Sequence, residues 1–135
     1  MFKTYFVCLL LSKRDFCVNI HLNNIFRIGF MKIIKIVNEH YGQNNFLCVE
    51  GSEAILIDAS ANVSQIEENL KMCGEKPKLL AILLTHEHFD HIAELDNLVA
   101  KYSCPVFIHK LGKANLYDEK HNLSTLDRPF KIKTK

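Results

Sequence analysis

The chain has 135 residues, a formal net charge of +2, 48% hydrophobic residues and 24% charged ones. That length limits it to one domain with a modest core, and the composition is that of an ordinary soluble globular protein rather than a disordered or fibrous one. The charge is too small to point to a nucleic acid or a membrane surface as partner.

The opening thirty residues do not match the rest. Tyr5–Leu11 is an apolar run flanked by Lys3 and by Lys13-Arg14, far short of the about 20 residues that span a bilayer. No small-residue cleavage site follows it in Ser12–Phe16, so it is not read as a signal peptide. A strand and an amphipathic appendage both stay open for it. Met31 then begins a new strand pattern, and a start assigned too early is the favoured origin of residues 1–30. The expected organisation is an N-terminal extension, 1–30, and a domain over 31–135. Cys8, Cys17, Cys48, Cys73 and Cys104 are odd in number and contain no C-x-x-C pair. They read as reduced thiols of a cytoplasmic protein, mostly core filling.

From Met31 the elements follow in a regular order. Lys32–Val37 reads as a strand and Asn38–Gly42 as a turn. Phe46–Glu50 and Ala54–Asp58 are the next strands, with Gly51-Ser52 as a tight hairpin link. Ser60 or Asn62 caps a helix whose apolar positions are Val63, Ile66, Leu70 and Cys73, stopped by Gly74 and Pro77. Leu79–Leu84 is continuously apolar, as a buried strand is. Ile92, Leu95, Leu98, Val99 and Tyr102 then fall at helical spacing, so one helix should begin near His91. Val106–His109 is a short strand, Lys110–Tyr117 a further helix, and Arg128–Lys135 a marginal strand. The strands should share one sheet, with the helices against one face.

The chemistry lies between the buried strand and its helix, in Thr85-His86-Glu87-His88-Phe89-Asp90-His91. Strand-end crevices of this kind are where ligands bind in open α/β sheets. In an extended segment residues two apart project to the same side, so His86 and His88 can grip one ion. Asp90 keeps that period and His91 is swung round by the helix, which makes two pairs. Two pairs suit two metals about 3.5–4 Å apart. Imidazole nitrogen and carboxylate oxygen favour zinc, with iron and manganese as alternatives. The competing reading is a solvated polar loop that happens to be rich in histidine. Glu87 points to the opposite face and reads as solvated. His109 ends a strand on the same sheet edge, close to the cleft, but a lone histidine there is not read as a ligand, and His21, His40 and His121, which lack partner spacing, are not either.

Thr85–His91 resembles the signature loop of the metallo-β-lactamase fold superfamily. The lead-in Asn44–Val49, Glu53–Asp58, helix and strand is similar too. Cys104–Lys110 with Asn122-Leu123-Ser124 resembles the small glyoxalase II-like hydrolases of that superfamily, and the likeness covers about Met31–Lys135. The resemblance implies an α+β fold, the metallo-β-lactamase-type αβ/βα sandwich, here its N-terminal half only. It implies a metal-dependent hydrolase of small-molecule thioesters or esters that works through a metal-bound hydroxide. The ligands to two Zn2+ ions (Fe or Mn as alternatives) would be His86, His88, Asp90 and His91, and Asp90 would also orient or deprotonate the nucleophile. Asp58 would hold the loop by a hydrogen bond and Thr85 would brace it. The family's later ligands, a histidine, a bridging aspartate and a last histidine, have no counterpart after Ser124. The expectation is therefore a fragment, inactive by itself. The alternative is a non-catalytic half-domain that binds metal weakly or docks on a separately encoded second half, and a third is an unstable pseudogene product.

Overall fold

Alternating side-chain burial on one strand and continuous burial on another set the layers of this molecule. The computed structural model describes residues 5–8, 17–20, 31–74, 76–128 and 130–134. β1 (Tyr5–Cys8) and β2 (Cys17–Ile20) pair antiparallel. The rest of the expectation for residues 1–30 lies outside the described residues.

The main sheet has the order β3 (Lys32–Val37), β4 (Asn44–Glu50), β5 (Glu53–Ile57), β6 (Lys78–Leu83) and β7 (Val106–Phe107). The first three strands form an antiparallel meander, and β5, β6 and β7 run parallel. Glu50 pairs directly with Glu53, and Gly51 takes φ 57° in the tight link between them. A left-handed turn residue here would strain any side chain with a Cβ. On β4, Asn45, Leu47 and Val49 are buried while Phe46, Cys48 and Glu50 are half-buried. Ala81, Ile82 and Leu83 of β6 are buried on both faces, as a central strand's are.

Parallel neighbours need crossovers, and both crossovers carry helices. α1 (Val63–Lys71) joins β5 to β6. Its Asn62 cap accepts from the Gln65 N–H while the Gln65 side chain accepts from the Asn62 N–H, a reciprocal capping box. Of the two caps expected, Asn62 is the one used. α3 (Leu95–Tyr102) follows β6 and α4 (Lys110–Asn115) follows β7. Ile66 and Leu70 of α1 and Leu95 and Leu98 of α3 join Leu47, Leu56 and Ile82 in one core, all at 0% exposure. The Lys101–Glu67 ion pair at 2.9 Å ties the two helices outside that core. No helix among the described residues is long and apolar enough to cross a membrane.

Three expectations need correction. The helix expected from His91 to Tyr102 is broken: α2 (Phe89–Ile92) and α3 are separated at Ala93-Glu94. Ala59 causes the break, because its N–H donates to the His91 carbonyl at 2.7 Å and its carbonyl accepts the Glu94 N–H at 2.9 Å. Residues that would have bonded along one helix bond instead to the chain leaving β5. The last strand stops at Phe107, since His109 caps α4 with its ring nitrogen accepting from the Leu111 N–H. Residues 130–134 form no strand. Asp96 there accepts from the Lys133 and Thr134 N–H groups, so a carboxylate takes the place of a neighbouring strand.

Candidate metal centre

The loop from Thr85 to His88 leaves the carboxyl end of the interior strand β6, between β5 and β7, and β5 lies beside it in parallel. The Asp58 N–H continues their ladder by donating to the Leu83 carbonyl at 2.8 Å. Asp58 then turns left-handed, at φ 62°, a conformation that a short polar side chain tolerates better than most. That turn brings its side chain, only 6% exposed, to the start of the histidine loop.

Asp58 accepts there from the Thr85 N–H at 2.9 Å, from the Thr85 hydroxyl at 2.9 and 3.0 Å, and from His91 Nδ1 at 2.9 Å. A carboxylate that only accepts dictates the protons around it. His91 must carry its hydrogen on Nδ1, and the Thr85 hydroxyl must point its hydrogen at Asp58. The same hydroxyl oxygen lies 3.0 Å from His86 Nδ1, so it accepts from that nitrogen. In their neutral forms both rings are thus held in the tautomer that leaves Nε2 bare, the form a metal ligand needs.

Three imidazoles gather within this short span. The ring centroids of His86 and His88 are 4.6 Å apart, and those of His86 and His91 are 4.0 Å apart. Asp90 Oδ2 lies 3.9 Å from His91 Nε2. Burial, followed by the charges of His91 and His88, lowers the pKa of His86 and favours its neutral, ligating form. Burial also acts to lower His91, but the hydrogen bond and charge of Asp58, with Asp90's charge, outweigh it and raise the pKa. Among the described residues no three His, Cys, Asp or Glu side chains stand ready around one point to hold an ion. The donor set nevertheless fits a borderline metal in type, with imidazole nitrogens and carboxylate oxygen together and two rings fixed by hydrogen bonds behind them.

Glu87 is a correction. It does not stand free in solvent: Oε1 accepts from the Asn115 amide at 2.9 Å, and its pKa is lowered, burial acting upward but that bond and the histidine charges prevailing. A Cβ on Gly112 would lie 2.8 Å from Glu87 Oε2, so the glycine makes the room for this carboxylate beside α4. His40 stacks edge-on against Tyr41, and His121 pairs with Asp118 at 3.0 Å. Three contributors to the loop carried no signal in the spacing. Gln43 donates its amide to Asp90, Asn122 offers its carbonyl to the Phe89 N–H at 2.7 Å, and Asn115 holds Glu87.

The comparisons with known proteins agree with this geometry. A family model described as the metallo-beta-lactamase superfamily matches residues 40–132. A probable metallo-hydrolase of Streptococcus pyogenes serotype M6 is 40% identical over 99 residues, which is 73% of this chain and 42% of that protein. A hydroxyacylglutathione hydrolase of Buchnera aphidicola is 33% identical over 109 residues, 76% of this chain and 42% of its own length. The crystal structure of BLEG-1, a B3 metallo-beta-lactamase, superposes with a TM-score of 0.68 at 29% identity, over 76% of this chain and 50% of that one. The chain thus spans half or less of the length of these proteins. With the family model matched over residues 40–132, which include β4 to β7, the histidine loop and Asp58, the chain belongs to the metallo-beta-lactamase superfamily.

Proposed function

We propose that the chain carries the ligand loop of a metal-dependent hydrolase, that His86, His88, Asp90 and His91 are the ligands, and that the substrate is a thioester or ester. The observation that carries this reading is the double tautomer lock, in which one buried carboxylate, directly and through Thr85, leaves His91 Nε2 and His86 Nε2 both bare. A solvated loop has no use for such a lock. When bound, two ions in such a site polarise a carbonyl and bring the acidity of water close to neutral pH. Zinc suits the donors best, and iron or manganese would be accepted by the same set. The chain's own residues do the rest: Asp58 and Thr85 hold the rings, and Asp90 supplies a carboxylate that orients the attacking water and accepts its proton.

The thioester preference rests on the likeness to the hydroxyacylglutathione hydrolase, and the likeness to BLEG-1 makes a β-lactam the rival substrate. A catalytic zinc has three protein ligands beside its open position, whereas this loop offers two pairs. The remaining donors would come from sequence corresponding to the part of the relatives that this chain does not span. A second reading follows from the same count: a non-catalytic half-domain that binds metal weakly or docks on a separately encoded second half.

Zinc titration against a competing chelator, beside thioester and β-lactam hydrolysis assays, tests the proposal. Weak zinc binding is expected, lost in His86→Ala and His88→Ala, with no turnover by the 135-residue chain alone. Absence of zinc binding would overturn the ligand assignment. Metal-dependent turnover by the pure chain would overturn the incomplete site, and its substrate would decide between thioester and lactam.

A further inference from the structure

The Asn38–Gln43 turn, between β3 and β4, is built far more firmly than a surface connection requires. The Asn38 N–H donates to the Gln43 carbonyl and the Gly42 N–H to the Asn38 carbonyl, both at 2.8 Å. The Asn38 side chain accepts from the His40 and Tyr41 N–H groups at 2.9 and 2.7 Å, and its amide donates to the Ser60 carbonyl at 2.6 Å. Gly42, at φ 69°, lets the chain double back into β4. The turn is therefore closed on itself and bolted to the buried segment that follows Asp58.

Two side chains reach from this bracket to the histidine loop. The Tyr41 ring meets Phe89 edge-on at 5.3 Å. The Gln43 amide donates to Asp90 Oδ2 across 47 residues of sequence. A carboxylate can only accept, so the nitrogen end of Gln43 must face it, and the contact has one polarity. It uses one lone pair of Oδ2, the oxygen that also stands 3.9 Å from His91 Nε2, and leaves Oδ1 without a partner among these contacts.

We propose that Gln43 is a positioning residue for Asp90: its amide, held by the Asn38 bracket, orients the carboxylate toward the side of His91, where the two residues would hold an ion together. This inference rests on the ligand reading above. It adds a residue outside the histidine loop and assigns the turn a purpose. An amide is suited to this task. It orients a carboxylate without adding charge, whereas a lysine or arginine would compete with the metal for the same oxygens.

The test is a double-mutant cycle on metal affinity in the full chain. Zinc affinity by chelator competition is measured for the wild type, Gln43→Met, Asp90→Asn and the double variant, with His88→Ala as reference and melting of each metal-free protein as a check on folding. Methionine matches the length of glutamine and lacks the amide. Gln43→Met is expected to weaken zinc binding about tenfold in the wild-type background, the lower end of the effect of removing a group that supports a ligand. In the Asp90→Asn background it should change binding less than about twofold, because the residue acts only through Asp90. Equal weakening in both backgrounds, or none in the wild type, would overturn the proposal while His88→Ala still weakened binding. If Gln43→Met fails to fold, Gln43→Ala in the same cycle carries the same two expectations. Wild-type protein that binds no zinc, with His88→Ala indistinguishable from it, would overturn the ligand reading itself.

Discussion

Asp58→Asn should separate what the carboxylate does for stability from what it does for the histidines. Asparagine keeps the size of the side chain and tolerates the left-handed backbone at φ 62°. Its one oxygen can still accept from the Thr85 N–H and hydroxyl, the partners now at 2.9 Å. Its NH2 group must then face His91 Nδ1, and the ring answers by moving its hydrogen to Nε2 and accepting at Nδ1. A charge-assisted bond becomes a neutral one, a loss of about 1 kcal/mol, because charged partners contribute about 1.5–3 kcal/mol against about 0.5–1.5 for neutral ones. For a domain of this size that is a fall of about 3–5 °C in Tm. Metal affinity should fall much further, by about 10–100-fold, because the ring now presents a hydrogen where it presented a lone pair. Asp58→Ala makes the contrast. It removes the acceptor of the part-buried Thr85 N–H and of His91 Nδ1 and leaves a β-carbon without polar compensation at positive φ, so about 2–3 kcal/mol should be lost. Thermal melts of metal-free protein and chelator competition provide the two readings. Wild-type affinity in Asp58→Asn, or equal melting of the two variants, would refute the tautomer argument.

Other substitutions test the scaffold. Leu98→Ala, at 0% exposure against α1, should cost about 2–5 kcal/mol by leaving a cavity, read as a lower denaturant midpoint with little change in slope. Asn45→Leu should cost about 2–5 kcal/mol despite matching the apolar surroundings, because the Ser60 and Ala61 N–H groups that it accepts at 2.8 and 3.1 Å would be buried unpaired. Gly112→Ala would gain about 1 kcal/mol of helix propensity in open space. Here the new carbon would meet Glu87 Oε2 at 2.8 Å and Ile108 at 2.9 Å. A lower Tm is expected in the wild type and a smaller loss in a Glu87→Ala background, and equal losses would show that Glu87 is not the obstacle.

Much of the domain was legible in the sequence because its signals are local. β3 runs from Lys32 to Val37 as the alternation predicts, and α1 starts behind Asn62, one of the two caps expected. The apolar run ahead of the histidines is β6, an interior strand, shifted by one residue to Lys78–Leu83. His86, His88, Asp90 and His91 lie together at the end of that strand, where their spacing had suggested two pairs. What was illegible depends on partners distant in sequence. Nothing in Ile92–Tyr102 announces a break, since the break is made by the backbone of Ala59. The alternation of Phe130 and Ile132 with lysines mimics a strand, but residues 130–134 have no strand beside them and Asp96 accepts their N–H groups instead. Glu87 looked solvated because its partner, Asn115, is 28 residues away.

The histidine loop makes almost no hydrogen bonds within itself, and this explains both its position and its illegibility. Its one internal backbone bond is the His91 N–H to the His88 carbonyl at 2.9 Å, among those described. The Thr85 N–H goes to Asp58, the Phe89 N–H to the Asn122 carbonyl, and the His91 carbonyl to the Ala59 N–H. Apart from the Thr85–His86 contact inside the loop, side chains repeat the pattern, with Asp90 on Gln43 and Glu87 on Asn115. A loop that satisfied its own backbone would be a turn or a helix, and would aim its side chains outward around one axis. By passing its polar groups to four other segments, this one leaves its rings to be set by tautomer and contact. Buried polar groups must be paired somewhere, so those segments are fixed as firmly as the loop is. The geometry of the histidine loop is in that sense stored outside the motif, in Asp58, Ala59, Gln43 and Asn122, residues that no spacing rule for histidines would select.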